Sequence, residues 1–177
     1  MLGPVSFKKP SQTCDENALY DYAIGALGRR MRTVAELKRL LRNRCRDEAV
    51  LNQVIGRLKD RKYLSDSAYA SAYSAFRRDN QKFGRRRVVT DLKVKGVHGD
   101  VIEKAVDEAY AAVDELALAR SFLKRKRLSK PADNRGAARI FRTLVRAGFG
   151  SSTSIKILKN WEVEDQVLTA LEEEAGS

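Results

Sequence analysis

A set of apolar residues returns along this chain at almost constant spacing, and that constrains its fold more than any other feature. Leu37 and Leu41 correspond to Val88 and Leu92, 51 residues on, and then to Ile140 and Leu144, a further 52 on. The register continues past each set. Cys45 falls on Gly96 and then Gly148, while Leu51, Val54 and Ile55 fall on Ile102, Ala105 and Val106. Glycine just beyond the last periodic residue is a common helix stop, because it takes the left-handed conformation without a Cβ penalty. One such segment buries too little apolar surface to stand alone, so neighbouring segments must pack together. The expected fold is therefore all-α: an elongated array, curved to either hand, of three tandem three-helix units. Each unit is expected to hold a long, a short and a middle-length helix. The expected boundaries are 14–62, 63–112 and 113–160, after a flexible arm at 1–13 and before an acidic tail at 161–177.

Local signals agree with helices. Asp15 precedes Ala18, Leu19, Tyr22, Ala23 and Ala26 at helical spacing. Thr33 and Glu36 have the spacing of a capping box, in which the hydroxyl takes the N3 amide and the carboxylate returns to the cap amide. Asp47, Asp66, Asp100 and Asp114 mark further starts, and Gly84 precedes the short helix of Val88 and Leu92. Ser129–Gly136, with Pro131, reads as a linker before helices over 137–147 and 152–158. Tyr69 and Tyr73 lie one turn apart and read as core. Tyr63 closes a turn, and Trp161 docks on the last unit.

The charge is lopsided. Lys and Arg number 35 against 23 Asp and Glu, a net charge of +12, yet six acids and no cation follow Trp161. A surplus of this size favours a polyanionic partner through counterion release and long-range steering. Three clusters are candidate contacts. Lys82, Arg85, Arg86, Arg87, Lys93 and Lys95 surround one helix start, where free amides add a weak anion site. Three consecutive arginines cannot share a helical face, so some must point outward. Lys124, Arg125, Lys126 and Arg127 end another helix. Arg135, Arg139, Arg142 and Arg146, spaced four, three and four, form one stripe.

Several function classes are excluded. Cys14, Cys45 and the single histidine, His98, do not make a metal-ligand pattern, so no metal is expected. There is no glycine-rich loop ending in Lys-Ser/Thr and no HExxH. No catalytic residues and no cofactor are expected; the chain reads as a non-enzyme. No apolar run approaches a membrane span, and the first ten residues lack a secretory core. A cytoplasmic monomer with reduced cysteines is the expectation.

The stretch Tyr63-Leu64-Ser65-Asp66-Ser67-Ala68-Tyr69-Ala70, followed by Tyr73 and Arg77, resembles the signature of the RecX family. So does Phe83-Gly84 leading through Arg85, Arg86, Val88 and Leu92 to Lys95-Gly96-Val97. Thr33-x-x-Glu36-Leu37 resembles that family's opening motif, with Thr33 where Ser is common, and Ser65 stands where Asp is usual. The resemblance covers about residues 16–160 and is weakest in the third unit. It implies a regulator of the bacterial recombinase RecA that lodges in the RecA filament on single-stranded DNA and restrains ATPase, strand exchange and coprotease activity. The alternative is a non-specific nucleic-acid-binding protein that takes DNA without a recombinase. Carried onto this chain, the resemblance makes Tyr69, Gly84 and Leu92 fold-determining. It makes Arg77 and the arginines after Gly84 contacts.

Overall fold

The computed structural model describes residues 15–176, and every regular element among them is a helix. In chain order these are α1 (Glu16–Arg29), α2 (Val34–Arg42), α3 (Glu48–Asp60), α4 (Asp66–Asp79) and α5 (Arg85–Val94). They continue as α6 (Gly99–Tyr110), α7 (Glu115–Arg125), α8 (Asn134–Arg146), α9 (Ser151–Lys159) and α10 (Asp165–Gly176). The expected arm at 1–13 lies outside the described residues. The chain divides into two compact bodies, one ending at Ser65 and the other beginning at Asp66.

The first body is α1 to α3 around one core. Leu19, Tyr20, Ala23 and Ala26 of α1 meet Leu37 and Leu41 of α2 and Leu51, Val54, Ile55 and Leu58 of α3. Each set recurs every three or four residues, so each helix turns one apolar face inward. Full burial of a Leu or Val contributes about 1.5–3 kcal/mol each. The helix starts are closed from within. Asp15 accepts the amides of Asn17 and Ala18 at 2.9 and 3.3 Å. The capping box of α2 is complete, with the Glu36 amide donating to Thr33 Oγ1 at 3.0 Å and the Thr33 amide to Glu36 Oε2 at 3.3 Å. Cys45 is buried at the α2 exit, but it is disulfide-bonded, which overturns the expectation of a reduced thiol there. Cys14 lies outside the described residues.

The second body holds two three-helix groups and an additional helix. Tyr69, Ala70, Val88, Leu92, Ile102, Ala105 and Val106 form the core of α4 to α6. A larger core takes Phe122 and Leu123 of α7, Ile140, Phe141 and Leu144 of α8, Ile157 and Leu158 of α9, and Leu168 and Leu171 of α10. Phe83 packs against both cores. Its ring lies 5.9 Å from that of Phe122, which lies 5.7 Å from Phe149.

Beside this aromatic chain the backbones of the two groups touch. The Gly84 amide donates to the Ala147 carbonyl at 2.9 Å, and the Arg86 amide to the Gly148 carbonyl at 3.3 Å. The free carbonyls at the end of α8 thus satisfy free amides at the start of α5, and the two helix dipoles meet head to tail. Both glycines are required by this approach. A Cβ on Gly84 would lie 2.7 Å from the Phe149 nitrogen and closer still to the Gly148 carbonyl; one on Gly148 would collide with the Arg87 amide nitrogen. Gly148 also has φ +94°.

The third group departs from the expected order of lengths. Its helices have 11, 13 and 9 residues, so the middle one is longest, whereas α1 to α3 have 14, 9 and 13. The cause is an early start. Asp133 accepts the Gly136 amide at 2.7 Å and caps α8 there, so Arg135 and Gly136, read as linker, are helical. The stretch read as an acidic tail contains α10, which Leu168 and Leu171 anchor; Trp161 packs against the same core.

Candidate functional site

The fold sorts the basic residues by what holds them. Around α5 most are engaged within the body. Asp91, half-way along α5 and largely buried, is the centre. Its Oδ2 accepts from Arg77 Nη2 at 2.6 Å and from the Tyr73 hydroxyl at 3.0 Å, while its Oδ1 accepts from Arg87 Nε at 3.0 Å. Arg77 Nε also donates to the Tyr73 hydroxyl at 2.8 Å, and Nη1 donates to Gln81. The guanidinium lies 4.9 and 5.0 Å from the Tyr73 and Phe83 ring centres. With its side chain 19 % exposed, Arg77 ties α4 to α5 rather than facing solvent. Burial pushes the Tyr73 hydroxyl above its ordinary pKa, so it stays protonated and able to donate.

The other candidates near α5 divide further. Arg85 pairs with Asp107 of α6. Lys95 stands over Tyr69 and Tyr73, 5.7 and 5.4 Å from the ring centres. Lys82 is half-buried in the left-handed turn after α4, with φ 58°. Arg86 and Lys93 are exposed. Two of the amides at this helix start, those of Gly84 and Arg86, donate to the α8 exit. Tyr110, half-buried, donates to the Phe83 carbonyl at 2.8 Å, and this partial burial pushes its pKa up to about 12.

On the third group the picture reverses. Lys124, Arg125, Lys126 and Arg127 are exposed at the end of α7, with Arg127 in a left-handed exit at φ 54°. Arg135, Arg139, Arg142 and Arg146 are exposed along α8. Of these four, Arg142 has a partner in Glu174, with Nε and Nη2 reaching its two carboxylate oxygens at 2.9 and 3.1 Å. The Gly84–Ala147 bond sets the end of this stripe beside the start of α5, so Arg146 and Arg86 flank one junction although 60 positions separate them. The stripe and Arg86 bring exposed guanidinium groups to one junction, chemistry suited to phosphate or carboxylate, and the α7 exit bears four further exposed cations.

Two anchoring residues went unnoticed in the sequence. Asp91 could have been found from its i, i+4 spacing to Arg87. Glu115 closes the start of α9 from another helix, accepting from the Gly150 amide at 3.0 Å and from Thr153 Oγ1; no local pattern signals a cap 35 residues away. Among the described residues no group of three or more His, Cys, Asp or Glu could hold a metal ion, and no helix is long and apolar enough to cross a membrane.

Tandem three-helix groups that share a glycine junction define an all-α helical-repeat protein. The chain belongs to the RecX family. The model of the first RecX three-helix domain matches residues 20–58, and that of the second matches 65–106. The chain is 33 % identical over 137 residues to regulatory protein RecX of Leptothrix cholodnii, covering 77 % of this chain and 85 % of that one. It is 31 % identical over 139 residues to that of Chromobacterium violaceum, covering 78 % and 88 %. It spans about half the length of the relative from Geobacillus thermodenitrificans, 49 %, at 29 % identity. The crystal structure of RecX from Lactobacillus salivarius shares the fold, with TM-score 0.67 and 20 % identity over 83 % of this chain and 96 % of that one.

Proposed function

We propose that this chain regulates RecA by binding the recombinase filament on single-stranded DNA and restraining its ATPase, strand exchange and coprotease activity. The carrying observation is the exposed α8 arginine stripe on a RecX scaffold: it offers charge to a polyanion that α5 largely keeps for itself. A filament presents both phosphate and protein carboxylate along a repeating surface, and tandem three-helix units match such a repeat. The units proposed are 14–62, 63–112 and 113–160, acting as a monomer. Lys82, Arg86, Lys93, Lys124, Arg125, Lys126, Arg127, Arg135, Arg139, Arg142 and Arg146 are the proposed contacts, while Arg77, Arg85, Arg87 and Lys95 have internal partners that give them a part in the fold as well.

Titrating the chain into the cognate recombinase, ATP and single-stranded DNA tests this. The expected outcome is ATPase inhibition at well below one chain per recombinase. Tight filament association with unchanged ATPase and strand exchange would sink the inhibitory mechanism. The second reading, a plain nucleic-acid binder, is favoured by the lack of any carboxylate partner on Arg135, Arg139 and Arg146 among the described contacts. It predicts strong, salt-dependent binding to DNA alone.

A further inference from the structure

Three glutamates, Glu172, Glu173 and Glu174, stand in the last turns of α10. That is the wrong end for helix stability, since the C-terminal carbonyls of a helix favour cations, and the last turn of α10 has none. The apolar anchor of the helix is Leu168 and Leu171, buried in the third core. One of the three, Glu174, meets the arginine stripe. Glu174 grips Arg142 with both oxygens, in the fork geometry by which a guanidinium takes a phosphate. Glu174 also lines a depression with Phe141, Val145 and Arg146. The Arg142 hydrogen bonds hold the Glu174 carboxyl below its ordinary pKa, so it is charged wherever the stripe would meet DNA.

We infer that the α8 stripe takes a single-stranded phosphodiester backbone and that Glu174 is its built-in competitor, occupying Arg142 until a phosphate displaces it. This rests on the function proposed above and adds to it a brake on binding to bare nucleic acid. Both partners are about half exposed, at 50 and 49 %, so exchange is easy and the brake is mild. A strand lying along α8 gains contacts to Arg135, Arg139 and Arg146 at once, and so can outcompete one carboxylate.

The test is a salt titration of the full chain with a fluorescent oligodeoxythymidylate. The Glu174→Gln variant should bind about two- to fivefold tighter at low salt, the range expected when an exposed pair is released. Its log–log salt slope should steepen by about 0.7, one extra phosphate contact on a single strand. Glu172→Gln makes the same charge change without freeing Arg142 and should leave the slope unchanged. On an Arg142→Gln background, Glu174→Gln should lose the extra slope. Equal slopes for the chain and its Glu174→Gln variant overturn the inference, as does an equal steepening by Glu172→Gln or on the Arg142→Gln background. An NMR titration gives an independent reading: the Glu174 pKa should rise to the ordinary glutamate value in Arg142→Gln, and an unmoved value also counts against it. Recombinase ATPase measured on the same variants separates the two ideas. Inhibition by the parent with invariant slopes leaves the function standing and removes the brake. Steepened slopes with no ATPase effect do the reverse.

Discussion

The arginines of α5 and those of α8 have the same chemistry and nearly the same place in the repeat, yet the fold treats them differently. Arg85 and Arg87 have carboxylates waiting, Asp107 on α6 and Asp91 on α5 itself, and Arg77 reaches the same Asp91 from α4. Along α8, Arg135, Arg139 and Arg146 have no such acid among the described contacts, while Arg142 finds one on α10. A basic run says little until its counter-charges are located. Charge matched inside a unit organises that unit. Charge left on one face is available to a partner.

Breaking the α5 side should have the largest effect. Leu92 is fully buried in the core of α4 to α6. Leu92→Asp places a carboxylate there without a partner, at a cost of several kcal/mol. Circular dichroism should show lost helix and a collapsed melting transition for the second body, while the self-contained core of α1 to α3 persists. A native-like spectrum and melt would refute the placement of Leu92.

The junction that joins the two arginine sets comes next. Gly148→Ala combines a positive φ with a Cβ driven into the Arg87 amide. Left-handed backbone alone costs a non-glycine residue roughly 1–2 kcal/mol, and the collision adds to it, so the urea midpoint of the second body should fall markedly. Gly25 has open space at its Cβ, and Gly25→Ala should be neutral or slightly stabilising, as expected for a helix interior. Equal effects at the two positions would remove the junction from the account.

Asp91 tests whether the α5 arginines are internal struts. Asp91→Ala strands Arg77, mostly buried, and frees Arg87. Loss of one partner from such a cluster costs about 2–4 kcal/mol. Affinity for single-stranded DNA should be unchanged or slightly raised, since a guanidinium is released rather than removed. A stable variant with weaker DNA binding would show that this cluster faces the ligand.

The helices themselves were legible, because amphipathic spacing and caps are local. The Thr33–Glu36 box, the Asp47 cap and the Gly96 and Gly148 exits all stand where the pattern put them. What lay beyond sequence was pairing across space. Asp91 serves three side chains from two helices, Glu115 caps a helix 35 residues on, and Gly148 caps another 62 positions earlier. The internal ties of Arg77 to Asp91 and Tyr73, and of the Gly84 and Arg86 amides to the α8 exit, are of this kind. In the α10 segment the glutamates dominate the composition, while two apolar residues, Leu168 and Leu171, are enough to anchor a helix.

The smallest effects on stability carry the sharpest contrast. Arg146 is exposed at the end of α8 with no pairing among the described contacts, so Arg146→Gln should shift the urea midpoint by no more than about 0.5 kcal/mol equivalent. It should nevertheless weaken binding to single-stranded DNA and flatten the salt slope by about 0.7. Arg87→Gln removes one contact to Asp91 while leaving Arg77 and Tyr73 in place. Its stability loss should exceed that of Arg146→Gln, and its salt slope should match the parent. The two substitutions delete the same charge, so net charge and long-range steering change equally in both. Any difference between them reports local geometry alone. If both flatten the slope alike, the polyanion reads the total charge of the body, and α8 holds no special place.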